Sequence, residues 1–280
     1  MALVNVAWWC SAQKAPWTWA PRFYPGVWVM MIALLVGYVY AIRRVGPSKV
    51  AAGEAVVTRD QVLSFGVGWV LLWVATDWPV GLLSAGYLLT AHMLQYMLYS
   101  LVIAPLLIRG TPYWMQRLVL DARGMGWARW FVERPFSAFV LYNVVLALTH
   151  LPAVADTLKP LQFGSMFMDV LWLVTGLLFW LAIGKFDREP ESLANGKRLL
   201  YVIGITLLPT IPGAFFVYAE FPIYTTFEFA TRAFPEVSAQ EDQVIAGMLM
   251  WMGMTPILLF RLALAFFAWS EVESQRAGQV

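Results

Sequence analysis

From Ala85 to Ile108 the chain runs for 24 residues without an aspartate, glutamate, lysine or arginine. A helix rises about 1.5 Å per residue, so that run covers the roughly 30 Å of a bilayer's hydrocarbon core. The rest of the chain is similar in character: 60% of its 280 residues are hydrophobic and 13% charged, too few charges to clothe a water-soluble globule. We therefore expect an all-α integral membrane protein whose main partner is the lipid bilayer. The net charge of +2 is not gathered into a basic stripe, which excludes nucleic acid as a partner. A lone Cys10 excludes an internal disulfide framework and a thiolate cluster for zinc or iron–sulfur.

The hydrophobic pattern predicts a bundle of about seven transmembrane helices, at about 24–42, 61–76, 84–108, 136–154, 164–184, 199–219 and 243–269. All belong to one transmembrane domain covering 1–280. The second span stops at Asp77-Trp78-Pro79, and the tight Pro79–Ser84 connection either joins antiparallel neighbours or marks a re-entrant break. Residues 1–23 read as an external interfacial segment, with Trp8, Trp9, Trp17, Trp19 and Tyr24 forming an aromatic belt. The apolar start lacks a basic lead-in and runs into Lys14, so no cleaved signal peptide is expected.

Loop charges predict the orientation. Arg43, Arg44, Lys49 and Arg59 follow the first span, Arg109, Arg117, Arg123, Arg129 and Arg134 the third, and Lys185, Arg188, Lys197 and Arg198 the fifth. The alternate connections carry only Lys159 after the fourth span and Arg232 after the sixth. By the positive-inside rule the crowded loops are cytoplasmic, which puts the N-terminus outside and the 270–280 tail in the cytoplasm. The longest external loop, from Phe221 to Glu241, is acidic.

With that topology the polar residues at membrane depth gather towards the external side. An ionisable group inside a span costs a few kcal/mol and is a functional candidate by default. Asp77, His92, Tyr96, His150, Asp156, Asp169, Glu220, Tyr224, Asp242 and Gln243 all fall there, while Arg261 alone sits low, within snorkelling reach of the cytoplasmic headgroups. One reading is an externally facing metal pocket to which His92, His150, Asp169, Met166 and Met168 contribute, since imidazole suits copper, zinc or iron and thioether sulfur favours Cu(I). Met93, Met97 and the run Met248, Met250, Met252, Met254 widen the sulfur set, although a spacing of two leaves only i, i+4 pairs on one face. The other reading is that these residues hydrogen-bond across helices while the methionines fill the bundle. His92 and Tyr96 stand at i, i+4, which suits either a shared ion or a proton relay. Asp242-Gln243 is also placed to cap the seventh helix. Two histidines are enough to ligate one haem axially, but nothing in their spacing points to that. The sequence contains no His-Glu-x-x-His, nucleophile elbow, P-loop or dinucleotide fingerprint, so no enzyme activity is expected.

The third span also carries a resemblance. Thr90-Ala-His-Met-Leu-Gln-Tyr-Met-Leu-Tyr99, continuing through Ala104-Pro105-Leu106-Leu107 to Gly110-Thr111-Pro112, resembles the core motif of the multi-spanning CtaG family of bacterial cytochrome c oxidase assembly proteins. Thr149-His150-Leu151-Pro152 with Asp156, Gly176-Leu-Leu-Phe-Trp180, and Glu241-Asp242-Gln243 with Ala246-Gly247 and Met250-Trp251 follow in the family's order. The resemblance implies a multi-pass inner-membrane factor, a chaperone-like assembler of a haem–copper oxidase of the respiratory chain that aids copper delivery, with histidines as ligands. The family pattern has a second histidine where this chain has Tyr96, and further histidines around Gly164–Asp169 where it has none. His92 and His150 are what remains. Two functions follow as expectations: an assembly or copper-handling factor acting on cytochrome c oxidase subunits at the outer face, or a metal-free accessory subunit of a respiratory or other energy-transducing membrane complex. A transporter is a third reading, weakened by polar groups that lie shallow rather than at the midplane.

Overall fold

Prolines and side-chain caps set several of the helix boundaries in this chain. The computed structural model describes residues 7–12, 15–184 and 191–253, with isolated positions between 255 and 274; over 191–199 and at 202, 206 and 209 only the backbone is described. Lys14, Lys185, Arg188, Met254 and Arg261 lie outside the described residues, as do the side chains of Lys197 and Arg198 and most of the 270–280 tail. Among the described residues every regular element is helical, as an apolar solvent demands, because a helix satisfies its own backbone polar groups.

Pro25, pre-set for a first helical turn, opens α1 (Pro25–Tyr40), which continues through a π-helical turn and a 3-10 turn to Ser48. α2 (Arg59–Thr76) begins at a capping box in which Thr58 and Gln61 satisfy each other's backbone N–H groups. It ends at Asp77, and after Trp78-Pro79 the short α3 (Val80–Gly86) follows. Leu88 is extended, so the third span starts at Leu89 rather than at 84. That span is α4 (Leu89–Met97), a π-helical stretch Leu98–Ile103, and α5 (Ala104–Gly110). The π stretch has a cause in the sequence: Pro105 has no N–H to donate and its ring crowds the carbonyl four residues back. Here Trp180 Nε1 donates to Ser100 O at 2.8 Å. The close approach that permits this needs Gly176, where a Cβ would stand 2.9 Å from the Ser100 Cα.

α6 (Tyr113–Leu120) and α7 (Gly126–Val132) follow, and α7 turns by 105° into α8 (Pro135–Thr149). The fourth span was expected to reach 154, but it stops at Thr149. Pro152 cannot continue the hydrogen-bond ladder and holds Leu151 extended, so a new helix, α9 (Pro152–Leu158), starts there. α10 (Gln162–Gly184) is the straightest match to expectation. α11 (Glu191–Tyr218), the single turn α12 (Thr225–Glu228) and α13 (Ala239–Met252) complete the described helices. α11 and α13 pack closely through glycines, since a Cβ on Gly247 would stand 2.7 Å from Gly213 O. The described part of the expected seventh span begins at Ala239, four residues earlier than 243.

Four helices are long and apolar enough to cross a membrane: Pro25–Ser48, Arg59–Gly86 (α2 with α3), Leu89–Gly110 and Gln162–Gly184. The bent α7–α8 pair makes up to five, and Ile203–Tyr218 is a shorter apolar segment. The N-terminal segment departs from the interfacial belt expected of it. Trp8 and Trp19 are exposed, but Trp9 and Tyr24 are buried in the main core, because Trp9 Nε1 has a buried carboxylate to donate to.

Candidate functional site

Three helix ends meet at one end of the bundle: the start of α4, the end of α8 and the first turns of α10. His92, Tyr96 and Tyr99 lie on one face of α4 and its π continuation, and all three are buried. His150 sits at the last turn of α8, 5% exposed. The two imidazole centroids are 6.3 Å apart. Trp172 of α10 forms the floor of the pair, 5.2 Å from His92, 5.5 Å from Tyr96 and 6.1 Å from His150. Its indole is held by donation to Thr149 Oγ1 at 2.9 Å. Phe227, from α12, closes the other side of His92 at 5.4 Å.

Hydrogen bonding leaves nitrogens of both histidines unused. His150 Nδ1 lies 2.8 Å from Leu146 O, which requires the proton on Nδ1 and leaves Nε2 with a free lone pair and no partner. Neither ring nitrogen of His92 makes a hydrogen bond of normal geometry, although the Ser84 backbone lies against the ring. Three imidazole nitrogens are therefore buried without a regular hydrogen bond, among nine such buried side-chain atoms in the described residues that also include Trp17 Nε1, Asp77 Oδ1 and Trp78 Nε1. Tyr96 is accounted for, since its hydroxyl donates to Tyr142 OH at 2.8 Å.

Asp169 and its neighbourhood hold what the sequence did not disclose. Lys159 was counted as an external loop charge; it is fully buried. Its ammonium lies 3.4 Å from Asp169 Oδ1, 3.1 Å from Gln95 Oε1 and 5.4 Å over the Trp172 ring. Trp9 Nε1 donates to the other carboxylate oxygen at 2.9 Å. Gln95 Nε2 in turn donates to Ala75 O at 2.7 Å and Ser84 to Gln95 Oε1 at 2.8 Å. Asp169 is thus an ion-pair and hydrogen-bond acceptor one helical turn from Trp172, with both oxygens engaged. Asp77 is buried beside this network with one oxygen accepting from Trp73 at 3.3 Å and the other without a partner.

Several of the remaining candidates are structural braces. Asp242 was placed to cap its own helix, but Ser238 and Glu241 form that capping box. Asp242 instead accepts from Leu89 and Thr90 N–H at 2.7 and 3.0 Å, capping α4 across 152 residues of sequence. Asp156 accepts from Thr225 and Thr226 N–H at the start of α12, and Gln243 Oε1 from Ile223 N–H. These braces position Phe227 and Tyr224, whose hydroxyl donates to His150 O at 2.7 Å. Glu220 is exposed and outside the cluster. Met168 is fully buried and Met166 packs against the core, whereas Met248 and Met252 are exposed. Asp242→Ala is expected to lose about 0.5–2 kcal/mol of stability, the worth of a helix cap, read as a lower melting temperature in detergent, with Asp242→Asn retaining most of it.

No cluster of three or more His, Cys, Asp or Glu occurs among the described residues. The fit to an ion rests on the two imidazoles. At about 2 Å per nitrogen–metal bond, two rings bound linearly to one ion have centroids roughly 6 Å apart, and the 6.3 Å between these rings is compatible with that spacing. A carbonyl accepting from the far nitrogen of a histidine is the usual outer support of a metal-bound ring, and Leu146 O supplies it to His150. An apolar, aromatic shell around two neutral nitrogens suits a soft ion of low coordination number, Cu(I) above the harder divalent ions.

These features define a class: an all-helical protein with membrane-compatible apolar helices, burying two histidines with free nitrogens under a tryptophan. The chain belongs to the cytochrome c oxidase caa3 assembly factor family, whose family model matches residues 36–271. Similar curated proteins include uncharacterized proteins of Mycobacterium bovis and Mycobacterium tuberculosis, each 29% identical over 125 residues, 39% of this chain and 19% of theirs. One from Mycobacterium leprae is 27% identical over 200 residues, 62% of this chain and 29% of that protein. The chain thus spans about a fifth of the length of the first two relatives. No solved structure matches it.

Proposed function

We propose that the chain is a non-enzymatic, seven-span factor that holds copper for a cytochrome c oxidase at the external end of the bundle, with His92 and His150 as the ligands. The observation that carries the reading is the burial of two imidazoles 6.3 Å apart, three of whose nitrogens make no hydrogen bond of normal geometry. Family membership supports the oxidase as partner, and the arginine-rich connections support an orientation with the N-terminus outside and the C-terminus in the cytoplasm of a bacterial inner membrane.

On this reading copper is cargo, and the chain's own residues prepare its seat. Leu146 O holds the His150 tautomer, Trp172 and Phe227 exclude water, and Asp169 offsets part of the Lys159 charge beside the site. Asp169 is already engaged, which leaves a two-imidazole site with Met166 or Met168 as the sulfur in reserve. That sparse donor set favours transfer over storage. It is also the feature that favours the second reading, a metal-free accessory subunit of a respiratory complex.

The two readings separate in cells. Deleting the gene and restoring it as His92→Ala/His150→Ala is expected to leave oxidase subunits present but oxidase activity at or below about a tenth of wild type, with recovery on copper supplementation. Full activity with the double variant, alongside stoichiometric co-purification with a complex, would support the accessory subunit instead.

A further inference from the structure

At the end of the bundle away from the histidines, the ends of α5 and α10 and the start of α2 open onto a cleft of about 840 Å³ under α6 and α7. Four arginines line it, Arg109, Arg117, Arg129 and Arg134, against one acid, Glu133. Arg117 and Arg129 pair with Asp121 at 3.0 and 3.7 Å, and Arg129 with Glu133 at 3.8 Å, all about half exposed and so weak. Arg134 lies 4.6 Å over the Trp130 ring, and Arg109 has no ion pair among the described residues. The cleft therefore keeps a surplus of positive charge that no part of the described chain neutralises.

Beside it runs a second cavity of about 350 Å³ whose walls are almost wholly apolar, including Leu34, Phe65, Leu107, Val119 and Leu177. The two share Ile108, Thr111, Gln116, Leu120 and Leu181 as a common wall. Leu34 is in the middle of α1, so the groove extends from the charged end toward the centre of an apolar span. α7, turned 105° from α8, presents exposed Trp127 and Trp130 beside the cleft, the aromatic residues that settle at headgroup depth.

We infer that the cleft and groove together form a binding site for an anionic phospholipid, its phosphate among Arg109, Arg117, Arg129 and Arg134 and one acyl chain in the groove walled by Leu34, Phe65 and Leu107. The charge surplus selects an anion; a free phosphate makes no use of the apolar cavity, and an acidic protein segment has no reason to enter a groove reaching mid-span depth. Basic pockets between helices at a membrane surface bind such headgroups by the same electrostatics.

The test is native mass spectrometry of the full chain in detergent with phosphatidylglycerol or phosphatidylcholine of identical acyl chains, paired with thermal melting. Wild type is expected to retain phosphatidylglycerol over phosphatidylcholine by roughly tenfold or more, the effect of one to two arginine contacts. Arg109→Gln/Arg134→Gln is expected to reduce that ratio towards unity, and Val174→Trp, narrowing the groove, to lower occupancy by both lipids. Phosphatidylglycerol raises the melting temperature; inorganic phosphate at equal concentration does not. Equal retention of the two lipids by wild type would overturn the inference whatever the variants do. So would stabilisation by inorganic phosphate alone, or displacement of phosphatidylglycerol by a soluble acidic peptide.

Discussion

Lys159→Met is expected to destabilise the protein by about 3–5 kcal/mol, the cost of leaving one member of a buried ion pair without its partner. Asp169 would remain in the core, 2% exposed, with only the Trp9 indole donating to it. In a detergent melting experiment that corresponds to a fall of roughly 10 °C for a chain of this size. The double change Lys159→Met/Asp169→Leu removes both charges and is expected to recover most of the loss, because an apolar pair of similar volume avoids the desolvation penalty. A single variant melting within about 1 °C of wild type would show that the pair is open to water and not a core element. Since the pair flanks Trp172, the single variant is expected to disturb copper binding as well, whereas the double variant leaves it intact.

The second large effect concerns the histidines. Changing a residue that merely supports a metal ligand costs about ten- to hundredfold in affinity, so loss of a ligand itself is expected to cost roughly hundredfold or more. His92→Ala and His150→Ala each leave one imidazole, and Cu(I) titration against a colourless competing chelator should show both single variants weakened to that degree and the pair no weaker than either by more than a small factor. Each Ala variant is expected to lose some stability to the cavity it leaves, whereas His92→Leu, which refills the space with apolar atoms, is expected to melt close to wild type. Copper binding separates a ligand pair from a packing pair: for a packing pair, His92→Leu leaves it unchanged.

Much of this arrangement is legible from local pattern, and the limits have physical causes. Apolar runs announce the helices, Pro79 announces a break, and helical register puts His92 and Tyr96 on one face. The expected spans 84–108 and 136–154, by contrast, run through Pro105 and Pro152, where the structure has a π-helical stretch just before the first and a new helix at the second. The approach of His92 to His150 followed from shared depth, and their rings are 6.3 Å apart. What local pattern does not carry is pairing over long separations. Lys159 reads as a solvated loop cation until α9 and α10 fold it against Asp169, and Asp242 reads as a cap for the helix it begins, although it caps α4 from 152 residues away. Trp9 lies 160 residues before the carboxylate it donates to, so its neighbours on the chain suggest a membrane-surface residue instead. One signal was present for Lys159: a single cation in an otherwise bare external connection, close to an aspartate at membrane depth, is a candidate ion pair.

The most direct measurement of the central claim is the copper content of the purified wild-type chain beside His92→Ala/His150→Ala, after Cu(I) loading, desalting and gentle extraction that keeps bound partners. The account predicts a single equivalent of copper in wild type and only background in the folded double variant. Copper absent from wild type, or retained equally by the double variant, would contradict it.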